Sequence, residues 1–147
     1  MKRVLTLFAI ICALLGAVSA YAHSYKLGPI EVGHTWTTVT PAGVTEAAVY
    51  FPLLNTGAEA DKLIGASSPW AAKVEIRQAS ANAKDKAQTL NAIELRPNAP
   101  VPLSQSGIYL LAVGLKKPLA DKDRMPLTLK FEKAGSIGVE AMVGAPH

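Results

Sequence analysis

One stretch, residues 107–135 (GIYLLAVGLKKPLADKDRMPLTLKFEKAG), most constrains what this chain can fold into. Its first run, residues 108–115, is almost wholly apolar, which is typical of a strand covered on both faces or central in a sandwich. Its second run alternates, so Leu127, Leu129 and Phe131 are predicted to share the inner face of a half-buried strand. The charged segment between the runs predicts a solvated connection.

The remaining chain consists of short apolar segments separated by Gly, Pro, Asn and Asp, without a helical period or an internal repeat. The predicted strands are 30–39, 46–54, 61–66, 72–79, 89–95, 101–103 and 136–143. The polar segment 79–88 is predicted to be a hairpin loop. In all, eight or nine strands at this spacing predict an all-β fold, a β-sandwich with Greek-key connections.

Residues 1–22 have the pattern of a secretory signal peptide. Lys2 and Arg3 form a basic start, an apolar core follows, and Ala20-Tyr21-Ala22 is an Ala-x-Ala cleavage signal. We expect cleavage after Ala22, although a cut after Ala20 also fits. The mature chain would then be one domain, 23–147, of 125 residues, which suffices for a hydrophobic core. A bacterial source would make it periplasmic, without stable membrane insertion after cleavage.

The mature chain is expected to carry no thiol and little net charge. The single cysteine, Cys12, lies within the signal peptide and leaves with it. Removal of Lys2 and Arg3 lowers the formal charge from +4 to +2, with bases and acids interspersed, so we expect no nucleic-acid partner. The common catalytic motifs are absent, which favours a protein that is not an enzyme, and we expect a monomer.

Several segments, in order, resemble the periplasmic copper chaperones of the PCu(A)C family. They are GPIEVGHTW, NTGAEADKLIGASSP, AAKVEI, GLKKPL and PLTLKFEKAGSIGVE, which together cover nearly the whole mature chain. The resemblance implies a cupredoxin-like Greek-key β-sandwich in the periplasm. It also implies a copper-acceptor protein as partner, since relatives carry Cu(I) toward the copper sites of cytochrome c oxidase.

The family's copper ligands are missing from this chain. In the family, a His-x-Met follows the AAxVE-type strand, a Met follows the next loop, and a second His-x-Met precedes the Gly-Leu of the central strand. Soft thioethers with imidazole suit Cu(I). The corresponding places here hold Arg77, Ala79, Leu90, Tyr109 and Leu111. Arg77 would also place a permanent cation where copper should bind, and Tyr109 is expected to fill the vacated volume.

Two histidines remain as metal-ligand candidates, His23 and His34. Cleavage after Ala22 makes His23 the terminal residue, whose amine and imidazole could chelate Cu(II). Cleavage after Ala20 gives Tyr-Ala-His, which could form a square-planar Cu(II) or Ni(II) site. His23 could equally be a frayed terminal residue. By strand alternation His34 shares a face with Trp36, where it could assist copper binding or simply pack.

Other candidates have a plain structural interpretation beside a functional one. His147 with Met142 could make a soft site, or be a frayed tail. Trp36 and Trp70 are expected to be core or rim aromatics. Lys116, Lys117, Lys122 and Arg124 could form a docking patch, but nearby acids favour a solvated loop.

The sequence therefore leaves two hypotheses for the function of this protein. The first is an exported copper-chaperone-like protein with a non-standard or weak metal site at His23, aided by His34. The alternative is a metal-free β-sandwich binding or assembly module that has lost copper binding.

Overall fold

The computed structural model describes residues 24–82 and 84–144, which form strands and no helix. The strands are β1 (Tyr25–Leu27), β2 (Ile30–Val32), β3 (Trp36–Thr38), β4 (Glu46–Tyr50), β5 (Pro52–Asn55), β6 (Asp61–Ser67), β7 (Ala71–Gln78), β8 (Gln88–Leu90), β9 (Ile93–Leu95), β10 (Val101–Pro102), β11 (Ile108–Leu115), β12 (Arg124–Phe131) and β13 (Gly135–Gly144). No helix capable of crossing a bilayer occurs among these residues. The predicted signal peptide, His23 and His147 lie outside the described residues.

Two sheets enclose one hydrophobic core. The larger sheet has the order β8-β7-β11-β4-β3-β13-β12-β6-β9, and the smaller has the order β1-β2-β5-β10. A further pairing of β6 with β7, through Ala66 and Val74, closes seven strands of the larger sheet into a barrel. Buried residues of both sheets, among them Ile30, Leu53 and Leu110, belong to the same core cluster. The all-β prediction is confirmed, with the larger sheet curled upon itself.

The two strands from which the prediction began are both present. β11 lies inside the sheet between β7 and β4, with Leu110 and Ala112 fully buried. Its other face is only half-buried, so of the two predicted alternatives the central strand agrees with the structure and the strand covered on both faces does not. The alternation of β12 is confirmed, since Leu127, Leu129 and Phe131 are all buried.

The loop between β11 and β12 is not wholly solvated, which corrects the prediction. Its charged residues Lys116, Lys117, Asp121 and Lys122 are exposed and Asp123 is half-buried, but Leu119 is buried in the core. The Leu119 N–H donates to Thr40 Oγ1 at 2.8 Å, and the Thr40 N–H donates to the Leu119 carbonyl at 3.0 Å. These bonds anchor the middle of the loop to the turn that follows β3.

Three predicted strands are each two strands in the structure. Segment 30–39 divides into β2 and β3, and segment 46–54 divides into β4 and β5, with one half in each sheet. Gly33 marks the first division, because a side chain there would collide with the ring of Pro52. Segment 89–95 divides into β8 and β9, which lie at opposite edges of the larger sheet. Burial alternation continues across the second crossing, from Val49 through Phe51 to Leu53, so periodicity alone does not detect that division.

The buried carboxylate of Asp61 ties the start of β6 to the β12–β13 turn. Its Oδ1 accepts from the N–H of Lys62 at 2.7 Å and of Lys133 at 2.8 Å, and its Oδ2 accepts from the N–H of Ala134 at 3.0 Å. Burial acts to raise the pKa of Asp61, but the three backbone hydrogen bonds and the nearby Lys133 charge outweigh it, so the pKa is lowered.

We expect Asp61→Asn to lower the free energy of unfolding by about 2 kcal/mol at neutral pH, because the amide places a donor against a backbone N–H. A carboxylate whose pKa is lowered by folding stabilises the fold above its unfolded-state value of about 3.9. That contribution is lost as the pH falls through the folded-state pKa. The difference between variant and parent in urea unfolding should therefore shrink in acid.

The exposed Asp85 provides the matched control, since Asp85→Asn should leave stability nearly unchanged at both pH values. An Asp61→Asn deficit that is equally large at pH 3 and pH 7 would contradict the assignment.

Candidate functional site

The register brings most of the family's ligand positions together. Arg77 pairs with Tyr109 across β7 and β11, and Leu111 opposes Glu75 one step further along. The strand alternation places these residues on the outer face of the larger sheet. Leu90 instead pairs with Ile76 and packs against the core.

An ion-pair cluster occupies this face. Arg77 Nε donates to Glu75 Oε2 at 2.7 Å, and Lys73 Nζ lies 2.8 Å from Glu75 Oε1. The hydrogen bond from Lys73, followed by that from Arg77, lowers the pKa of Glu75. The one carboxylate is thus already shared by two cations. The place that binds copper in the family offers a soft cation neither imidazole nor thioether here.

A row of aromatic rings crosses the outer face of the sheet from this cluster. The ring centroids of Tyr109 and Tyr50 are 6.3 Å apart, and those of Tyr50 and Trp36 are 4.8 Å apart. Burial raises the pKa of the Tyr50 hydroxyl, against a hydrogen bond with Gln105 that lowers it. Tyr109 is half-buried beside Tyr50, and Trp36 is half-buried at the far end of the row.

The far end of the row opens into a cavity of about 240 Å³ that is lined by His34, Trp36, Asp121, Lys122 and Met142, among others. The parallel pairing of β3 with β13 sets Met142 beside Trp36, and the Met142 N–H donates to the Thr35 carbonyl at 2.9 Å. His34 is half-buried, and its Nδ1 atom is wholly buried. An imidazole, a thioether and a carboxylate thus face one cavity.

The β11–β12 loop is fixed against this cavity by backbone hydrogen bonds. The Lys122 N–H donates to the Val143 carbonyl, and the Val143 N–H donates to the Asp123 carbonyl, both at 2.9 Å. Asp123 Oδ2 accepts from the Ala120 N–H at 2.9 Å and so closes the turn. The exposed Asp121 is thereby held at the cavity wall.

The sequence pointed to His34 but not to its neighbours in space. The face shared by His34 and Trp36 was predicted, and both residues line the cavity. Met142 had been linked only to His147, and Asp121 only to loop charge. No pattern in the sequence predicts the parallel β3–β13 pairing, which brings these residues to one cavity. Within residues 24–82 and 84–144, no group of three or more His, Cys, Asp or Glu side chains forms a metal cluster.

Two of the four basic residues of the β11–β12 region have side-chain partners. Lys117 Nζ lies 3.5 Å above the Trp70 ring centroid, a cation–π contact. Arg124 lies 3.6 Å from Glu140, with both side chains about half exposed. These contacts favour the interpretation of a solvated loop over a free docking patch.

Comparison with known proteins agrees with this description. A family model described as "Putative lipoprotein LpqE-like" matches residues 30–143. A relative from Leifsonia xyli subsp. xyli, "Putative lipoprotein Lxx21020", is 23% identical over 150 residues, covering 96% of this chain and 88% of the relative.

Two solved structures are also similar. The copper-bound PCuAC domain from PmoF2 is 30% identical, with 84% of this chain and 99% of that chain covered and a TM-score of 0.74. The apo PCuAC domain from PmoF1 is 28% identical, with 84% and 100% covered and a TM-score of 0.73.

The fold is that of a PCuAC domain with a cupredoxin-like β architecture, as predicted. The chain belongs to the LpqE-like family. The predicted resemblance to the copper chaperones is confirmed, and so is the prediction that the chain is not an enzyme, since the matched structures are PCuAC domains. Copper is likewise confirmed as the metal to consider, because one of those structures contains it.

We expect the lost site to be restorable, because the backbone still brings its positions together. A variant with Arg77→His, Ala79→Met, Tyr109→His and Leu111→Met should bind one more equivalent of Cu(I) than the parent, measured by competition with a chromophoric chelator. The matched control carries the other three substitutions but retains Arg77. It should gain no tight site, because the guanidinium repels the ion. Equal gain in both variants would show that Arg77 is irrelevant.

Proposed function

We propose that this protein is an exported copper carrier whose copper site lies at the amino-terminal edge of the sandwich, with His23 and His34 as ligands. The observation that carries the proposal is the position of His34 at a cavity wall, on the side of the fold where β1 begins. Copper is the proposed metal because a similar PCuAC domain is copper-bound.

The register of β1 supports the pairing of the two histidines. Tyr25 opposes Val32 in the antiparallel β1–β2 pair, so Ser24, which precedes Tyr25, lies near Gly33, which follows Val32. Ser24 and Gly33 line the same cavity of about 280 Å³. His23 is bonded to Ser24, and His34 is bonded to Gly33. Covalent reach therefore favours a joint site for the two imidazoles.

The chemistry of such a site fits copper. If cleavage follows Ala22, His23 offers a terminal amine and an imidazole, and His34 adds a second imidazole. Nitrogen donors of this type suit Cu(II) in a tetragonal arrangement. A site without thiolates can also release its ion to a partner, which is what a carrier requires.

Export and delivery complete the proposal. The sequence of residues 1–22 and the lipoprotein names of the relatives support export to the cell envelope. We propose that the protein works as a periplasmic monomer after signal cleavage, without stable membrane insertion. Its partner would be a copper-acceptor protein, such as cytochrome c oxidase.

A second candidate function is supported by the occupied family site. None of the family's ligand positions holds His or Met here, and the Arg77 guanidinium is hydrogen-bonded to Glu75, as in a domain released from metal binding. On this alternative the protein is a metal-free binding or assembly module, and its partner recognises the sandwich itself.

Competitive Cu(I) and Cu(II) titration of exported, naturally processed protein separates the two candidates. The carrier proposal predicts one tight Cu(II) site, with affinity reduced at least about a hundredfold by His23→Ala and about tenfold by His34→Ala. His147→Ala is the matched control and should change little. Binding no tighter than that of an exposed histidine would favour the metal-free module.

Intact mass of the same sample fixes the amino terminus. A chain that begins at His23 is expected. A chain that begins at an acylated Cys12 would contradict the terminal-amine ligand, because His23 would then lie within the polypeptide.

A further inference from the structure

We propose that Met142 supplies a thioether ligand beside His34. The cavity lined by His34, Trp36 and Met142 would then be a binding site for Cu(I). This inference rests on the proposed function and deepens it, because it names the oxidation state and a ligand from the opposite end of the chain. The soft site shares the His34 imidazole with the site proposed for Cu(II) and adds the Met142 thioether.

The position of Met142 is fixed by the backbone. Its partner in the parallel β3–β13 pair is Trp36, and its N–H donates to the Thr35 carbonyl at 2.9 Å, next to His34. Its neighbours Ala141 and Val143 are buried in the core, so strand alternation turns the half-buried Met142 side chain outward. The other described methionine, Met125, is wholly buried in the core.

The donor set at this cavity favours a soft monovalent ion. Thioether with imidazole is a ligand combination that selects Cu(I) over harder ions. The Trp36 ring at the same wall can add a cation–π attraction, which is strongest for indole among the aromatic side chains. Asp121 contributes a negative charge at the rim.

Two cationic side chains, Lys122 and Arg124, also lie in this region, but neither needs to block the proposed Cu(I) site. Lys122 lines the cavity but is exposed, so its flexible stem can carry the ammonium into solvent. Arg124 pairs with Met142 across β12 and β13, but its guanidinium lies 3.6 Å from the Glu140 carboxylate. The ordinary alternative is that Met142 only packs against Trp36 as a sulfur–aromatic contact.

Methyl-labelled methionine distinguishes these alternatives. In processed protein carrying ¹³C-methyl methionine, only Met125 and Met142 report, and Met125 serves as an internal control. Anaerobic addition of Cu(I), or of Ag(I) as a redox-inert probe, should shift the Met142 methyl resonance until one equivalent is bound. The Met125 resonance should stay in place.

Tryptophan fluorescence gives a second readout. Cu(I) should quench the emission of Trp70→Phe, in which Trp36 remains, and should leave Trp36→Phe largely unquenched. Met142→Leu preserves side-chain volume and should retain the parent's thermal melting. It should weaken Cu(I) binding at least about tenfold and alter Cu(II) binding less than about twofold.

The failures of the two proposals are distinguishable. If Cu(II) binds at His23 while the Met142 methyl and Trp36 remain silent toward Cu(I), this inference is overturned and the carrier proposal stands. Equal losses of Cu(I) and Cu(II) affinity in Met142→Leu would also overturn it. If neither ion binds, the carrier proposal fails as well.

Discussion

The parallel hydrogen bonds between β3 and β13 hold the first part of the chain against its last strand. β3 is only three residues long, yet it is paired with β4 on one side and with β13 on the other. Without it the ring of seven strands would be open, and Trp36 and Met142 would not share a cavity wall. The closure of the fold and the candidate site therefore depend on the same few backbone bonds, between segments more than a hundred residues apart.

The family's copper site has been lost without loss of the scaffold that supported it. The β7–β11 register still aligns Arg77 with Tyr109, but an ion-pair cluster and an aromatic row occupy the outer face. The charged side chains of this face are paired with one another, and its aromatic rings pack against one another. The face therefore requires no metal for its packing. We therefore propose that a copper function for this chain uses other ligands, namely His23 and His34.

The sequence predicted local structure well and long-range pairing poorly. The alternation of Leu127, Leu129 and Phe131 identified β12 and its buried face, because period-2 burial is a local property. The crossing at Phe51 was missed because burial keeps its alternation from Val49 to Leu53. At Gly33 the alternation shifts, but the contact with Pro52 that fixes the division is not visible in the local sequence. Strand β1 is three residues long and too short for any period to be visible.

The candidate site was predictable in the same limited way. Alternation placed His34 and Trp36 on one face, and the family resemblance showed that the usual ligands are missing. Met142 and Asp121 could not be assigned to the cavity, since their positions follow from the β3–β13 pairing and from a loop anchored by Leu119. Neither of these contacts leaves a signal in a single sequence.

The most direct test of the account is anomalous diffraction at the copper edge from crystals of the processed, copper-loaded protein. The account predicts a single strong peak at the cavity walled by His34, Trp36 and Met142, within coordination distance of the His34 imidazole. A peak beside Arg77 and Tyr109, or no peak at the copper edge in protein exposed to excess copper, would contradict it.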